Sequence, residues 1–540
     1  MRFSTITTLL LSAGFAQALP RDNDKRSKTK GLDWKPCDEE LFREPVRKAT
    51  REPVECATIE VPLDYTHENS KPLDLILIRV KATKPSKGSV LMNPGGPGGS
   101  GLDFIAVSGP DFRENQSALG GHYDVISFDP SHSTTNYDLR GVGQTIPFVC
   151  NLSTIGQRSL DRRTSGIRGD SFFVNIPQVN LYDFIPAQFE SFNQVAEACY
   201  EGNKDTGNFL GTAFVARDLL KIVDALDEGG KLRYWGISYG TTLGQTFAAM
   251  FPDRIERMVL DGVQAANDYH SGYWVSTTRE SDETLTEAFR ECIAAGPEKC
   301  SLANFKGDAT TPQLLTAAFS DSLQELIDNI NEEESALIYS TAKRTVMQSL
   351  YTPTGMLGLF EFLPFIINRN WTAFAEWAAS HNTDLVEGNG LLGISCGDSS
   401  FRRDEPEDLY PLFKAQAAQG MFADVFAGVV LNCAVWKFDA AERYEGSFRS
   451  IKTSNPIMFV NGLFDPVTPM SGAFEAAIGF PGSRLLVHNG FGHGSMALPS
   501  NCTNQAIEKY FVEGTLPEVG AECDPDMSAF DYALSLEAKT

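Results

Sequence analysis

The sequence predicts an α/β architecture, a mostly parallel sheet flanked by helices with a large, mainly helical insertion, and three observations predict it. Short β-rich runs alternate with helix-patterned runs as far as about residue 264. The alternation stops between about Ala265 and Leu431, where the chain reads as helical and irregular. It then resumes to the end. A βαβ rhythm of this kind implies parallel strands covered on both faces, and an interruption this long has the scale of a small domain.

Taken in order, Leu73–Val80 is β-rich, and Ser89–Met92 is a short apolar run leading into a glycine-rich loop. Tyr123–Phe128 is a further strand. Phe214–Leu226 places apolar residues at helical spacing, Leu232–Ile237 is a strand, and Ser238–Met250 has the small and apolar residues of a closely packed helix. Ile255–Leu260 is again strand-like. After the insertion come a strand at Pro456–Val460, a helix at Ser471–Ile478, a strand at Arg484–His488 and a helix at Asn504–Phe511. The expected organisation is therefore residues 1–18 as a leader, 19–30 as a pro-segment or linker, 31–264 and 431–540 as the two parts of one core, and 265–430 as the insertion.

The leader reading rests on Met1-Arg2, an apolar run through Leu11 and Phe15, and the small-x-small site Ala16-Gln-Ala18. The alternative is an uncleaved anchor. The basic stretch Arg21–Lys30 holds Lys25-Arg26, which suits either dibasic processing or a plain linker. Ten cysteines without any C-x-x-C pair suit five disulfides in an oxidising compartment, with sequential neighbours the simplest pairing. Asn115, Asn151, Asn370 and Asn501 head N-glycosylation sequons, and together these features predict a secreted, extracellular protein. The formal charge of −24 repels phosphate backbones, so nucleic acid is not an expected partner. No later run reads as membrane-spanning, since even Met356–Ile367 carries Glu361. Oligomeric state is not legible in the sequence.

Two stretches carry the pattern G-x-S-x-G: Gly236-Ile-Ser238-Tyr-Gly240 and Gly393-Ile-Ser395-Cys-Gly397. A strand-to-helix turn of this type presents a serine for nucleophilic attack. Ser238 lies between a strand run and a helix run, whereas Ser395 follows a glycine-rich stretch that reads as loop and a structural turn. Ser238 is thus the expected nucleophile. Attack on a carbonyl creates an oxyanion that backbone N–H groups must hold. Tyr239, next after the serine, supplies one, and Gly95 or Gly96 in Met92-Asn-Pro-Gly-Gly-Pro-Gly-Gly-Ser-Gly101 supplies the other, with Gly96 preferred. Pro97 has no N–H to give.

The serine needs a base, and the base an orienting acid. His493, between glycines in Gly490-Phe-Gly-His-Gly494, is the expected base; His488 lies within a strand and reads as structural. Asp465 in Asn461-Gly-Leu-Phe-Asp-Pro-Val-Thr-Pro469 is the expected acid, with Asp261, at the end of an earlier strand, the alternative. No metal or cofactor is required.

Together, N-P-G-G-P-G-G-S-G, G-I-S-Y-G-T, N-G-L-F-D-P-V-T-P and G-F-G-H-G resemble the tripeptidyl aminopeptidase-like branch of the α/β hydrolases, related to prolyl aminopeptidases. The resemblance runs from about Trp34 to about Cys523 and includes Phe214-Val-Ala-Arg-Asp218 and Ile394-Ser-Cys-Gly-Asp398. It implies an α/β-hydrolase fold, a triad of Ser238, Asp465 and His493, a lid formed by the insertion, and a TAP-like C-terminal region. It also implies removal of residues or short peptides from free N-termini, with acidic lid residues meeting the substrate ammonium. The chain departs from the family pattern at Ser131–Leu139, which separates Phe128-Asp-Pro130 from Arg140-Gly-Val-Gly-Gln144; a splice-model error in the sequence and a genuine loop both account for it. Two other functions stay open: an esterase or amidase on small molecules, and a catalytically inactive binding protein, which a complete triad disfavours.

Overall fold

Ten strands form one sheet in the computed structural model, which describes residues 32–51, 53–113, 117–129, 148, 150, 181–329, 333–381 and 389–538. The leader, the Lys25-Arg26 site, Asn115, Asn151 and the Ser131–Leu139 departure lie outside the described residues. The sheet strands are β1 Lys35–Pro36, β2 Glu55–Pro62, β3 Pro72–Val80, β4 Ser89–Asn93, β5 Asp124–Asp129, β6 Leu232–Ile237, β7 Ile255–Asp261, β8 Met458–Phe464, β9 Arg484–Phe491 and β10 Glu522–Cys523. Their spatial order is β1-β2-β3-β5-β4-β6-β7-β8-β9-β10. The first three strands pair antiparallel, as do β3 and β5, and every pair from β5 to β10 is parallel.

Successive residues of the central strands feed two separate cores. Leu91, Tyr234, Leu260 and Phe459 pack on one face. Val90, Met92, Trp235, Val259 and Val460 pack on the other. Burial on both faces explains why these strands read as unbroken apolar runs instead of alternating ones. Helices Gly101–Arg113 and Asn501–Glu513 cover the second face, through Leu102, Ile105, Ile507 and Phe511. Helices Thr212–Leu226 and Tyr239–Met250 cover the first.

Between β7 and β8 the described chain is mainly helical, with a short strand at Phe305–Asp308 and an irregular stretch from Val435 to Ile457. Its apolar residues, among them Phe289, Phe319 and Leu363, join the core of the first sheet face without a break. The C-terminal helix Ala529–Glu537 packs on this insertion: Phe530 meets Phe360, and Glu291 accepts from the N–H groups of Ala529 and Phe530. Among the described residues, no helix is long and apolar enough to cross a membrane.

All ten cysteines are paired, each with its sequential neighbour: Cys37–Cys56, Cys150–Cys199, Cys292–Cys300, Cys396–Cys433 and Cys502–Cys523. One expectation is corrected. Ser395 lies in neither a loop nor a turn, because Gly390–Asp398 is a helix. Every one of its residues is buried, so tertiary packing overrides the low helix propensity of its three glycines.

Candidate active site

The strand order places the site. β4 leads to β5 on one side, and the chain then returns to add β6 on the other. Loops leaving the carboxyl ends of strands at such a switch point diverge and open a crevice. The glycine-rich loop leaves β4 there, and Ser238 follows β6.

Ser238 has φ 58° and ψ −126°, a sparsely populated conformation for a residue with a side chain. Its N–H donates to the carbonyl of Asp261 at 3.0 Å, and its carbonyl accepts from the Thr241 hydroxyl at 2.6 Å. Both flanking glycines are sterically required. A Cβ on Gly236 would lie 2.2 Å from the Gly240 carbonyl oxygen, and one on Gly240 would lie 2.6 Å from that of Asn93. The turn therefore fits only the glycine–serine–glycine spacing read from the sequence.

The glycine-rich loop lies directly against this turn. A Cβ on Gly95 would come within 2.7 Å of the Ser238 Cβ and 3.0 Å of the Tyr239 nitrogen. Gly95 donates its own N–H to the Asn93 side chain at 3.0 Å. Among the described residues no partner engages the Gly96 N–H, so of the two glycines Gly96 is the one with a donor to offer. Asn93, not singled out in the sequence, ties up the Gly95 N–H; its place at the end of β4, where the loop begins, was the available signal.

Asp465 and His493 are together. The His493 Nδ1 lies 2.9 Å from Asp465 Oδ2. That carboxylate is buried and also accepts from the N–H groups of Val467, Thr468 and Gly494 and from the Thr468 hydroxyl, at 2.8 to 3.0 Å. Burial alone would raise the Asp465 pKa, but His493 and these donors outweigh it and hold it below the ordinary carboxylate value. Burial likewise opposes charge on His493, yet Asp465, with Asp261 behind it, raises its pKa above the ordinary imidazole value. The His493 side chain keeps 13% of its surface exposed. The insertion touches it here: the Tyr351 carbonyl accepts from His493 N–H at 2.8 Å, and the two rings meet edge-on at 5.2 Å.

Asp261, the alternative acid, does not contact the imidazole by a hydrogen bond. Its carboxylate accepts from the N–H and hydroxyl of Ser495, at 2.8 and 2.6 Å. Burial pushes its pKa up to about 6, the Ser495 donors notwithstanding. His488 is buried in β9 with Nδ1 at 3.0 Å from the Thr503 hydroxyl, and burial lowers its pKa to about 4. That is the structural role expected of it.

Ser238, the two loops and the His493 turn converge at one end of the sheet. A Cβ on Gly494 would lie 3.7 Å from Ile237 Cγ2 and 3.6 Å from Asp261 Oδ1, which puts the histidine turn over the strand that ends in Ser238. Residues 419–523 match the family model described as TAP-like protein. The chain is a serine hydrolase carrying a TAP-like domain. Its relatives include the tripeptidyl aminopeptidase of Streptomyces lividans, 26% identical over 530 residues that cover 93% of this chain and 88% of that protein. Serine protease Hip1 of Mycobacterium tuberculosis is 27% identical over 491 residues, 87% of each chain. Carboxylesterase B of the same species is 25% identical over 509 residues, 87% of this chain and 86% of that protein. Among solved structures, a thermophilic esterase from Thermogutta terrifontis is 13% identical and covers 84% of this chain and 98% of its own, with a TM-score of 0.32. The α/β-hydrolase fold is carried by the strand order itself.

Proposed function

We propose that this TAP-like enzyme is a secreted serine exopeptidase that releases residues or short peptides from free N-termini through an acyl-enzyme. The observation that carries the chemistry is the buried Asp465–His493 pair, whose turn packs over the strand leading into the positive-φ Ser238. Ser238 Oγ attacks the scissile carbonyl while His493 Nε2 takes its proton. Asp465 keeps the other imidazole hydrogen on Nδ1 and stabilises the imidazolium. The N–H groups of Gly96 and Tyr239 hold the oxyanion. As the carbon–nitrogen bond breaks, His493 returns the proton to the departing amine. Water, deprotonated by the same imidazole, then releases the acyl group and restores Ser238.

Exopeptidase action is supported by the relative named tripeptidyl aminopeptidase. The relative named carboxylesterase B favours the second reading, an esterase or amidase on small molecules. Five disulfides favour an oxidising compartment, and Asn370 and Asn501 are exposed as glycan acceptors must be. The contact of Tyr351 with His493 supports residues 265–430 as a lid.

A panel of chromogenic tripeptides with free or blocked N-termini, run beside simple esters, tests the reading. Free peptides should be cleaved at least about tenfold faster than blocked ones, as a recognised ammonium requires. Equal rates would defeat the exopeptidase assignment, and ester-only turnover would select the second reading. Ser238→Ala should lose about 10⁴-fold or more in kcat/KM and all labelling by a serine-directed phosphonate.

A further inference from the structure

The second G-x-S-x-G stretch is not a nucleophile turn, yet its helix ends at the proposed active site. Asp398 closes the helix Gly390–Asp398 and is buried. Its Oδ1 accepts from Thr212 N–H at 2.6 Å, and its Oδ2 accepts from the Thr212 hydroxyl at 2.5 Å and from the Tyr269 hydroxyl at 2.9 Å. The Thr212 hydroxyl oxygen lies 2.5 Å from the Tyr239 hydroxyl. Thr212, Tyr239 and Tyr269 are all buried.

With Asp398 ionised, the direction of this chain is fixed. An ionised carboxylate only accepts, so the single hydroxyl hydrogen of Thr212 goes to Asp398, and the Tyr239 hydroxyl must donate to Thr212. Burial, reinforced by the Asp398 charge, pushes both tyrosines well above their ordinary pKa, so both stay donors. Burial raises Asp398 to about 6, against the Thr212 and Tyr269 hydrogen bonds and the Arg443 charge, so it is ionised at neutral pH. Its helix end is itself anchored. Arg443 Nε donates to the Gly397 carbonyl at 2.8 Å, Arg402 donates to that of Cys396 at 3.1 Å, and Cys396 is tied to Cys433.

We propose that Asp398 is a positioning residue for the oxyanion hole: acting through Thr212, it fixes the Tyr239 side chain and with it the peptide N–H that faces the developing oxyanion. The inference rests on the assignment of Ser238 as nucleophile and Tyr239 as donor. A strained residue such as Ser238 persists only where its surroundings over-determine it. The Asp261 carbonyl holds the strand side of the turn through Ser238 N–H. The Asp398–Thr212–Tyr239 chain holds the helix side. Because Asp398 belongs to the insertion and Tyr239 to the sheet domain's central turn, the insertion takes part in aligning the catalytic centre as well as in covering it.

The test uses the full-length enzyme and three variants. Asp398→Asn keeps the shape, but its amide nitrogen would donate where the carboxylate accepted, leaving the Tyr239 hydroxyl without its ordered acceptor. Tyr239→Phe removes only the last link and leaves the buried carboxylate satisfied. Active sites are counted by phosphonate titration, and kcat is expressed per titrated site. Both variants should lower kcat about tenfold with KM within about twofold. Each should weaken a peptide aldehyde, which binds as a tetrahedral adduct, by a similar factor. A purely structural role would lower the titratable fraction and leave kcat per site unchanged. Either variant with kcat per site within about twofold of wild type, or a loss confined to KM, overturns the proposal. Should Asp398→Asn fail to fold, Tyr239→Phe decides alone. Ser238→Ala guards the premise: if it stays active, the site assignment itself fails, whereas an inactive Ser238→Ala beside unaffected Asp398 and Tyr239 variants removes only the positioning role.

Discussion

Two carboxylates, at or just beyond the ends of neighbouring strands, grip successive amides of the same turn. Asp465 holds the N–H of Gly494, and Asp261 holds that of Ser495. Both are buried, and both followed a strand in the sequence reading. Their pKa values nonetheless move in opposite directions, that of Asp465 down and that of Asp261 up to about 6. Burial pushes both the same way. The difference lies in what each faces. Asp465 has four hydrogen-bond donors besides His493, whereas Asp261 has the two of Ser495 and the repulsion of Asp465. The donor set separates the two carboxylates, which strand position admits equally.

The strongest way to break this comparison is to neutralise each carboxylate in turn. Asp465→Asn should cost about 10³-fold or more in kcat, because an amide no longer enforces the reactive tautomer or stabilises the imidazolium. Asp261→Asn should keep most of the activity, since Asn can still accept from Ser495 N–H and donate to its hydroxyl. Comparable losses in the two variants would mean that the roles are shared and that Asp465 was chosen wrongly.

Stability gives the next contrast. Asp261 has a folded pKa raised from 3.8 to about 6. Such a group stabilises the fold fully below its unfolded pKa, and that contribution is lost as pH rises through about 6. Replacement by Asn abolishes the dependence. Asp261→Asn should therefore gain on wild type by roughly 2 kcal/mol between pH 4 and pH 8. Denaturant unfolding at the two pH values measures this, and an unchanged difference would show that Asp261 is not held protonated by burial.

Most of the site was legible because its determinants are local. Ser238 is flanked by a strand run and a helix run, and the order serine, acid, histidine leaves few assignments. The sheet was legible where strands are buried on both faces. It was missed at β2, where Glu55, Thr58 and Glu60 interrupt the apolar residues near an edge, and at β1 and β10, which have two residues each. Ser395 was misread because Gly390, Gly393 and Gly397 argue against a helix that packing, a disulfide, Arg402 and Arg443 sustain. The choice between Asp261 and Asp465 was open for a similar reason. The partners of Asp261 lie 234 residues away in sequence.

The finest contrast lies in the pH profile. The proposed mechanism requires neutral His493, whose pKa stands above the ordinary imidazole value. Activity should therefore fall on the acid side at a pH above about 6.5. The charged groups acting on His493 are Asp465, through contact, and Asp261, through space. Near that limb Asp261 is already ionised, because its own pKa is about 6. Removing its charge in Asp261→Asn should move the acid limb of kcat/KM to lower pH by a few tenths of a unit, as expected of a through-space charge without direct contact. Asp465→Asn should move it further in the same direction, because contact and hydrogen bonding are lost together. A limb that stays fixed in Asp261→Asn, while Asp465→Asn shifts, would leave Asp261 as an anchor for Ser495 alone. A larger shift in Asp261→Asn than in Asp465→Asn would reverse the assignment of the two acids.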